Sequence, residues 1–177
     1  NSSVKFRMAL TKKILSKISK NKILLEIGCG SALLLDELKK MGVKKYIGID
    51  ISSEAIKKAE IRAKKINGIE FEFINADVCQ IKNKNVDIFF SLGFLDWVSI
   101  EEIKEMNSKI SSKFFFHSFS EPDFDNLLSQ QVLCVLFVPS PALMSLGLFL
   151  CCPFHHLGCL SSFATTTCSN LHFFGLE

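Results

Sequence analysis

No lysine or arginine occurs after Lys113 in this 177-residue chain, and between Lys5 and Lys22 seven basic residues stand without one acidic residue. Residues 1–120 carry 21 basic against 14 acidic side chains, a net +7, whereas residues 121–177 carry none against four (Glu121, Asp123, Asp125 and Glu177), a net −4. A surface in water normally keeps charge of both signs, so the break near Glu121 excludes a single uniform composition. The overall charge of +3 is too small to point to a charged partner, and no nucleic acid is expected. Cys29 and Cys79 lack paired spacing and follow no cleavable signal sequence, so a reducing cytoplasm is the expected setting.

What is present before the break is an alternation of short apolar runs with helical stretches, the pattern of a parallel sheet covered by crossover helices. Five strands are predicted: Ile23–Ile27, Lys45–Ile49, Ile69–Ile74, Val86–Ser91 and Lys113–Phe119. The third alternates Ile69, Phe71 and Phe73 with Glu70 and Glu72, as a half-exposed edge strand does. The first, fourth and fifth are continuously apolar, as strands buried on both faces are.

Four helices complete the reading. Lys5–Lys22 is a basic amphipathic segment expected to pack its apolar side on the domain. Ser31–Met41 stops at Gly42, which suits a left-handed cap. A helix starting at Ser52 or Ser53 aligns Ile56, Ala59, Ala63 and Ile66. The last opens on a capping box, Ser99 with Glu102, and points Ile100, Ile103, Met106 and Ile110 inward.

The first strand runs into Gly28, Cys29 and Gly30 and then into a helix, a junction where the backbone turns tightly and helix N-terminal amides are near. Asp50 ends the second strand twenty positions after Gly30, where a carboxylate can accept both hydroxyls of a ribose. A dinucleotide loop wants a further glycine at position 33, which is Leu33, so nicotinamide-dependent oxidoreduction is not expected. Each feature alone has a plainer reading: a tight turn at Gly28 and Gly30, a helix cap at Asp50, a stabilised bend at Asp77.

Taken in order, LEIGCGSALLLDEL, YIGIDIS, FINADV and VDIFFSLGFLDWV resemble the motifs of the class I S-adenosylmethionine (SAM) dependent methyltransferases over about 100 residues. The resemblance implies an α/β, Rossmann-like, doubly wound and mostly parallel sheet with helices on both faces, incomplete after the fifth strand. The resemblance covers a SAM-binding core (22–120), which charge and composition set between a basic N-terminal helix (1–21) and an atypical Cys-rich tail without basic residues (121–177). It implies that Glu26, Gly28, Cys29 and Gly30 surround the methionine part of SAM. It also implies that Asp50 binds the ribose with Ile51 beside the adenine, that Asp77 and Val78 meet the adenine edge, and that Ser91, Leu92 and Gly93 pass beneath the sulfonium. One departure is Ala32, where the family usually has a third glycine; its methyl is expected to crowd the loop slightly.

The methyl group of SAM is already activated, so such an enzyme needs mainly to align a nucleophile and exclude water. Asp96 and His117 are the candidate general bases for a hydroxyl acceptor, each with a plainer structural role as a cap or a core histidine. Phe94 and Trp97 are candidate pocket residues, although Phe and Trp following a strand are more often core. The loop from Ser91 lacks the Asn/Asp-Pro-Pro-Tyr/Phe motif with which amino-methylating relatives hold DNA bases and glutamine amides. The expected acceptor is therefore a small molecule, a sugar or lipid precursor included; the alternative is a truncated protein that binds SAM without turnover.

The tail has no charge between Asn126 and Leu176 apart from histidine, and holds Cys134, Cys151, Cys152, Cys159 and Cys168. Glu121–Gln131 can begin a helix, and Gln131–Val138 with Leu143–Leu150 can form a hairpin. Leu143–Leu160 reaches the lower length bound for a membrane span, but Pro153 and two histidines interrupt it, and no membrane is expected. Cys151, Cys152, His155, His156 and Cys159 lack a second separated pair, so no metal is expected. The composition favours a foreign segment, joined by frameshift, read-through or truncation, that leaves the fifth strand as an unpaired edge of Phe114, Phe115, Phe116 and Phe119.

Overall fold

The apolar runs become the strands of one sheet in the computed structural model, which describes residues 2–118 and 133–136. The strands are β1 (Ile23–Ile27), β2 (Lys45–Asp50), β3 (Glu70–Asn75), β4 (Lys84–Leu92), β5 (Ile110–Ser118) and β6 (Leu133–Leu136). Their spatial order is β3-β2-β1-β4-β5-β6, with the first five parallel and β6 antiparallel to β5. The helices are α1 (Ser2–Ile18), α2 (Leu35–Lys40), α3 (Ser53–Ala63) and α4 (Ile100–Lys109).

Alternate residues of a strand face opposite ways, and the two faces of the sheet make two cores. Leu24, Tyr46, Ile88, Phe90 and Phe116 pack with Leu15 of α1, Leu35 and Leu38 of α2, and Ile56 and Ala59 of α3. Leu25, Ile27, Ile47, Ile49 and Phe89 pack with Val78, Ile81 and Met106 of α4. Helices thus cover both faces, as the doubly wound reading requires. The N-terminal helix is seated as expected, with Leu15 fully buried and Met8, Ile14 and Ile18 against the first core.

β3 lies at the sheet edge. Its Phe71 and Phe73 stack at 6.2 Å, while Glu70 and Glu72 bind Lys45 at 2.8 and 2.9 Å and Lys84 adds a 2.6 Å contact to Glu72. Hydrogen bonds from Lys84 and Lys45 hold the Glu72 carboxyl below its ordinary range. Such charge also protects an exposed edge from pairing with another chain.

Four expectations are corrected. α2 starts at Leu35, not Ser31, because Ala32 adopts a left-handed φ of +52°, which a right-handed helix cannot contain. Its end is as read: Gly42, at φ +71°, donates its N–H to Lys39 O and Val43 donates to Leu38 O, closing a Schellman motif. Ile100 is 66% exposed rather than inward, because steps of three residues fall about 60° short of a turn and carry the stripe away from its first member. β5 begins at Ile110, directly after α4, because Ile110 already pairs with Lys84 of β4.

The fourth correction concerns the far edge. β6 falls within Gln131–Val138 and pairs Leu136, Val135, Cys134 and Leu133 with Phe115, Phe116, His117 and Ser118, so β5 is not an open edge there. The expected helix at Glu121–Gln131, the second hairpin strand, the Leu143–Leu160 run and the Cys151–Cys159 cluster lie outside the described residues. Among the described residues, no helix is long and apolar enough to cross a membrane.

Candidate functional site

In an open doubly wound sheet, ligands bind outside the carboxyl ends of the strands where the chain order reverses. Here the reversal lies between β1 and β4, and a cleft of about 430 Å³ opens there. Ile27 and Gly28 end β1, Ile49, Asp50 and Ile51 end β2, and Ala76, Asp77 and Val78 follow β3. Leu92, Gly93, Phe94, Trp97, Val98 and Glu102 form the wall after β4.

The β1 turn is held by backbone bonds from Gly28 and Cys29 N–H to Ile49 O, at 2.8 and 3.1 Å. Gly28 has a φ of +68°, and a Cβ there would lie 3.0 Å from Phe94 Cδ2, so a side chain is excluded on two counts. Asp50 ties the next two turns together: Oδ2 accepts from Gly30 N and Oδ1 from Ser52 N, both at 2.8 Å. An ionised carboxylate offers about four lone-pair sites, so each oxygen keeps one for a ligand. The helix cap ahead of α3 is Ser52, accepting from Ala55 N at 3.2 Å, and not Asp50 itself. Asp77 lines the cleft while its Oδ1 accepts from Cys79 N at 2.8 Å, so the bend and the cleft use the same side chain.

Seven of the eleven residues implied for SAM meet at the cleft, Gly28, Asp50, Ile51, Asp77, Val78, Leu92 and Gly93, and the candidate pocket residues Phe94 and Trp97 line it too. Four lie behind it. Glu26 is 4% exposed and accepts a 2.6 Å hydrogen bond from Tyr46 Oη; burial pushes its carboxyl up to about 8, against the opposing pull of that bond. Cys29 is buried, and burial beside Glu26 raises its thiol well above the ordinary range. Gly30 gives its N–H to Asp50, and Ser91 is fully buried with Oγ 2.8 Å from His117 Nδ1. Ala32 is fully buried as well, and its cost is a left-handed backbone rather than a methyl in the cleft.

Of the two candidate bases, His117 is 4% exposed, edge-on to Phe89 at 4.7 Å, and burial lowers its imidazole to about 4. Asp96 faces Arg7 of α1, with Oδ2 3.9 Å from Nη1. Neither lines the cleft. The residues that sequence reasoning missed include Ile27, Ile49 and Ala76, each one position before a predicted residue, which the strand-end rule alone would have found. Val98 and Glu102 were also missed; Glu102 was read only as the capping partner of Ser99, a bond it does make at 2.7 Å. Trp97 is 85% exposed, so it is not core.

A doubly wound sheet, a cleft at its switch point and a carboxylate with free lone pairs at the end of β2 define a Rossmann-like nucleotide-cofactor fold. Residues 24–114, just over half of the chain, match the methyltransferase domain family, and the chain belongs to that family. It is 36% identical over 85 residues to a candidate protein N5-glutamine methyltransferase of Methanocaldococcus jannaschii, a stretch covering 48% of this chain and 43% of that protein. The chain spans less than half the length of the curated relatives it matches. Among solved structures, it superposes on magnesium protoporphyrin IX methyltransferase of Synechocystis PCC 6803 with bound SAM. That match has a TM-score of 0.56 and 20% identity over 68% of this chain and 62% of the other. A SAM-dependent methyltransferase of Aquifex aeolicus gives 0.52 and 18%, covering 68% of each chain.

Proposed function

We propose that this chain transfers the methyl group of SAM to a small-molecule acceptor, a sugar or lipid precursor among them, held against the β4 wall. The observation that carries the reading is Asp50: fixed by two backbone N–H groups at the switch point, it presents its remaining lone pairs to a cleft whose volume suits a small ligand. In this reading Asp50 accepts the two ribose hydroxyls, Ile51 and Val78 flank the adenine, Asp77 meets its amino edge, and Gly28 lets the ligand lie on the backbone. Bound SAM supplies an activated methyl on a sulfonium.

The protein's part is then to orient and to dry. Phe94 closes over Gly28, and Leu92 and Gly93 form the floor beside it. Glu26 stands behind the turn as a neutral acid at pH 7, steadied by Tyr46, rather than as a direct ligand. No general base is assigned: His117 and Asp96 are turned to other partners, and an acceptor whose nucleophile is already unprotonated needs none.

A second reading has one observation behind it, the Methanocaldococcus jannaschii relative, whose name points to glutamine in a protein. Against it stands the β4 loop, Ser91-Leu92-Gly93-Phe94, where the amide-holding motif is missing. A methyl-transfer assay with labelled SAM separates the readings when run over small hydroxyl, carboxyl and amine acceptors beside a glutamine-containing peptide. Product on a small acceptor supports the proposal, and product on the peptide alone replaces it with the second reading. SAM binding without any product shows a domain that binds and does not turn over.

A further inference from the structure

α1 meets the cleft wall through Arg7. Arg7 has a side chain only 14% exposed, and its guanidinium lies over Gly93: a Cβ at Gly93 would collide with Arg7 Nη1 and sit 3.1 Å from Cζ. Gly93 itself has a φ of +73°, and its N–H donates to the carbonyl and hydroxyl oxygens of Ser118, at 2.9 and 3.0 Å. The loop after β4 is therefore held by β5 through its N–H and covered by α1 where a side chain would be. Asp96, three residues on in the same loop, faces the same Arg7 nitrogen at 3.9 Å. α1 is in turn anchored to the body of the domain by Leu15 and Thr11, both fully buried, and by Lys12 to Glu37 at 3.4 Å.

We infer that Arg7 is a positioning residue: with Nη1 packed against Gly93 and facing Asp96 it fixes the loop that carries Phe94 and Trp97, and so sets the acceptor wall from the N-terminal helix. Assigning that wall to the acceptor rests on the methyltransferase reading; the clamp itself does not. A guanidinium suits the task because its rigid, pre-organised fork packs against backbone and presents N–H groups to a carboxylate with less loss of side-chain freedom than a flexible ammonium. The lysines of α1 have no such role, and its basic character is mostly a solvated face. The arrangement also accounts for Gly93, which neither backbone strain alone nor the cleft requires to be so closely covered.

Trp97 is the sole tryptophan, so its emission reports on this loop alone. Time-resolved fluorescence anisotropy of the full chain, with no ligand added, is the test. In Arg7→Ala the fast local component of the Trp97 decay should at least about double in amplitude relative to the unsubstituted chain, reflecting nanosecond motion released in the loop. An unchanged decay in the folded variant overturns the proposal. A second comparison does not depend on that variant's own dynamics: Gly93→Ala should lower Tm more in the unsubstituted chain, where the methyl meets Arg7, than in an Arg7→Ala or Arg7→Met background. Equal drops would mean that Arg7 and Gly93 do not touch, and the clamp fails. A chain that binds no SAM but shows both effects would sink the methyltransferase reading and leave the clamp standing.

Discussion

Along the β1-β2-β3 rim of the cleft the polar side chains are tied to backbone, Asp50 to Gly30 and Ser52 and Asp77 to Cys79, and Asn75 adds bonds of 3.0 and 2.8 Å to Asp50 O and Ile51 O. Along the β4 rim Trp97 stands 85% exposed on a single helical turn, and the wall is fixed from outside by Ser118 and Arg7. The first rim is preorganised and built by the strand ends themselves, which suits a ligand common to many relatives. The second takes its shape from side chains and from a separate helix, which suits a partner particular to this protein.

The difference is best broken at Asp50. If Asp50 accepts the ribose hydroxyls as proposed, replacing it with Ala removes two charge-assisted bonds, each worth about 1.5–3 kcal/mol, so SAM affinity by isothermal titration should fall at least about tenfold. Unchanged affinity in a folded variant would show that the first rim is not the nucleoside side. Asp50→Asn keeps an acceptor oxygen and should lose less.

Next in size is the buried acid behind the rim. With its folded value near 8 and its unfolded value near 4.5, Glu26 keeps its proton in the fold while the unfolded chain loses it, so stability falls as pH rises between those values. His117, lowered to about 4, acts in the other window: its contribution is complete above about 6.5 and is lost as pH falls toward 4. Between pH 6.5 and 8 the Glu26 contribution changes most, and Glu26→Gln, which leaves the other groups in place, should gain about 2 kcal/mol on the unsubstituted chain across that interval. Denaturant melts at the two pH values check it, and parallel curves would mean that Glu26 is ionised in the fold.

Gly28→Ala should cost about 1–2 kcal/mol for the left-handed backbone, with more for the contact 3.0 Å from Phe94, since that ring joins the two rims. Thermal melts measure it, and a silent substitution would show that Phe94 does not close over the turn. The smallest effect is expected at Trp97. Trp97→Ala should leave Tm and SAM affinity within error, a surface change of about 0.5 kcal/mol or less, while altering turnover once an acceptor is found. A large loss of SAM affinity would merge the two rims into one site.

The same contrast explains what the sequence made legible. β1 matched residue for residue because an apolar run broken only by Glu26 and stopped at Gly28 has one reading, and Asp50 was placed at the cleft because a strand end is where this fold puts its ligand. The late start of α2 was hidden, since nothing in Ala32 announces a left-handed φ. Glu26, Cys29 and Ser91 carried the motif's spacing and still lie behind the cleft, because spacing fixes backbone position and not which way a side chain turns. Glu102 was obscured by a second role in the capping box. Arg7 was lost among the lysines of α1, and only tertiary packing brings it to Gly93. β6 shows the converse: a composition judged foreign contains four residues whose backbones pair with β5.

The central claim, that the switch-point cleft is a SAM site, is met most directly by titrating the full chain with SAM and, separately, with NAD. The account predicts saturable one-to-one binding of SAM, displaced by S-adenosylhomocysteine, and no heat from NAD. A folded chain that takes up NAD, or that shows no saturable binding of SAM, would contradict it.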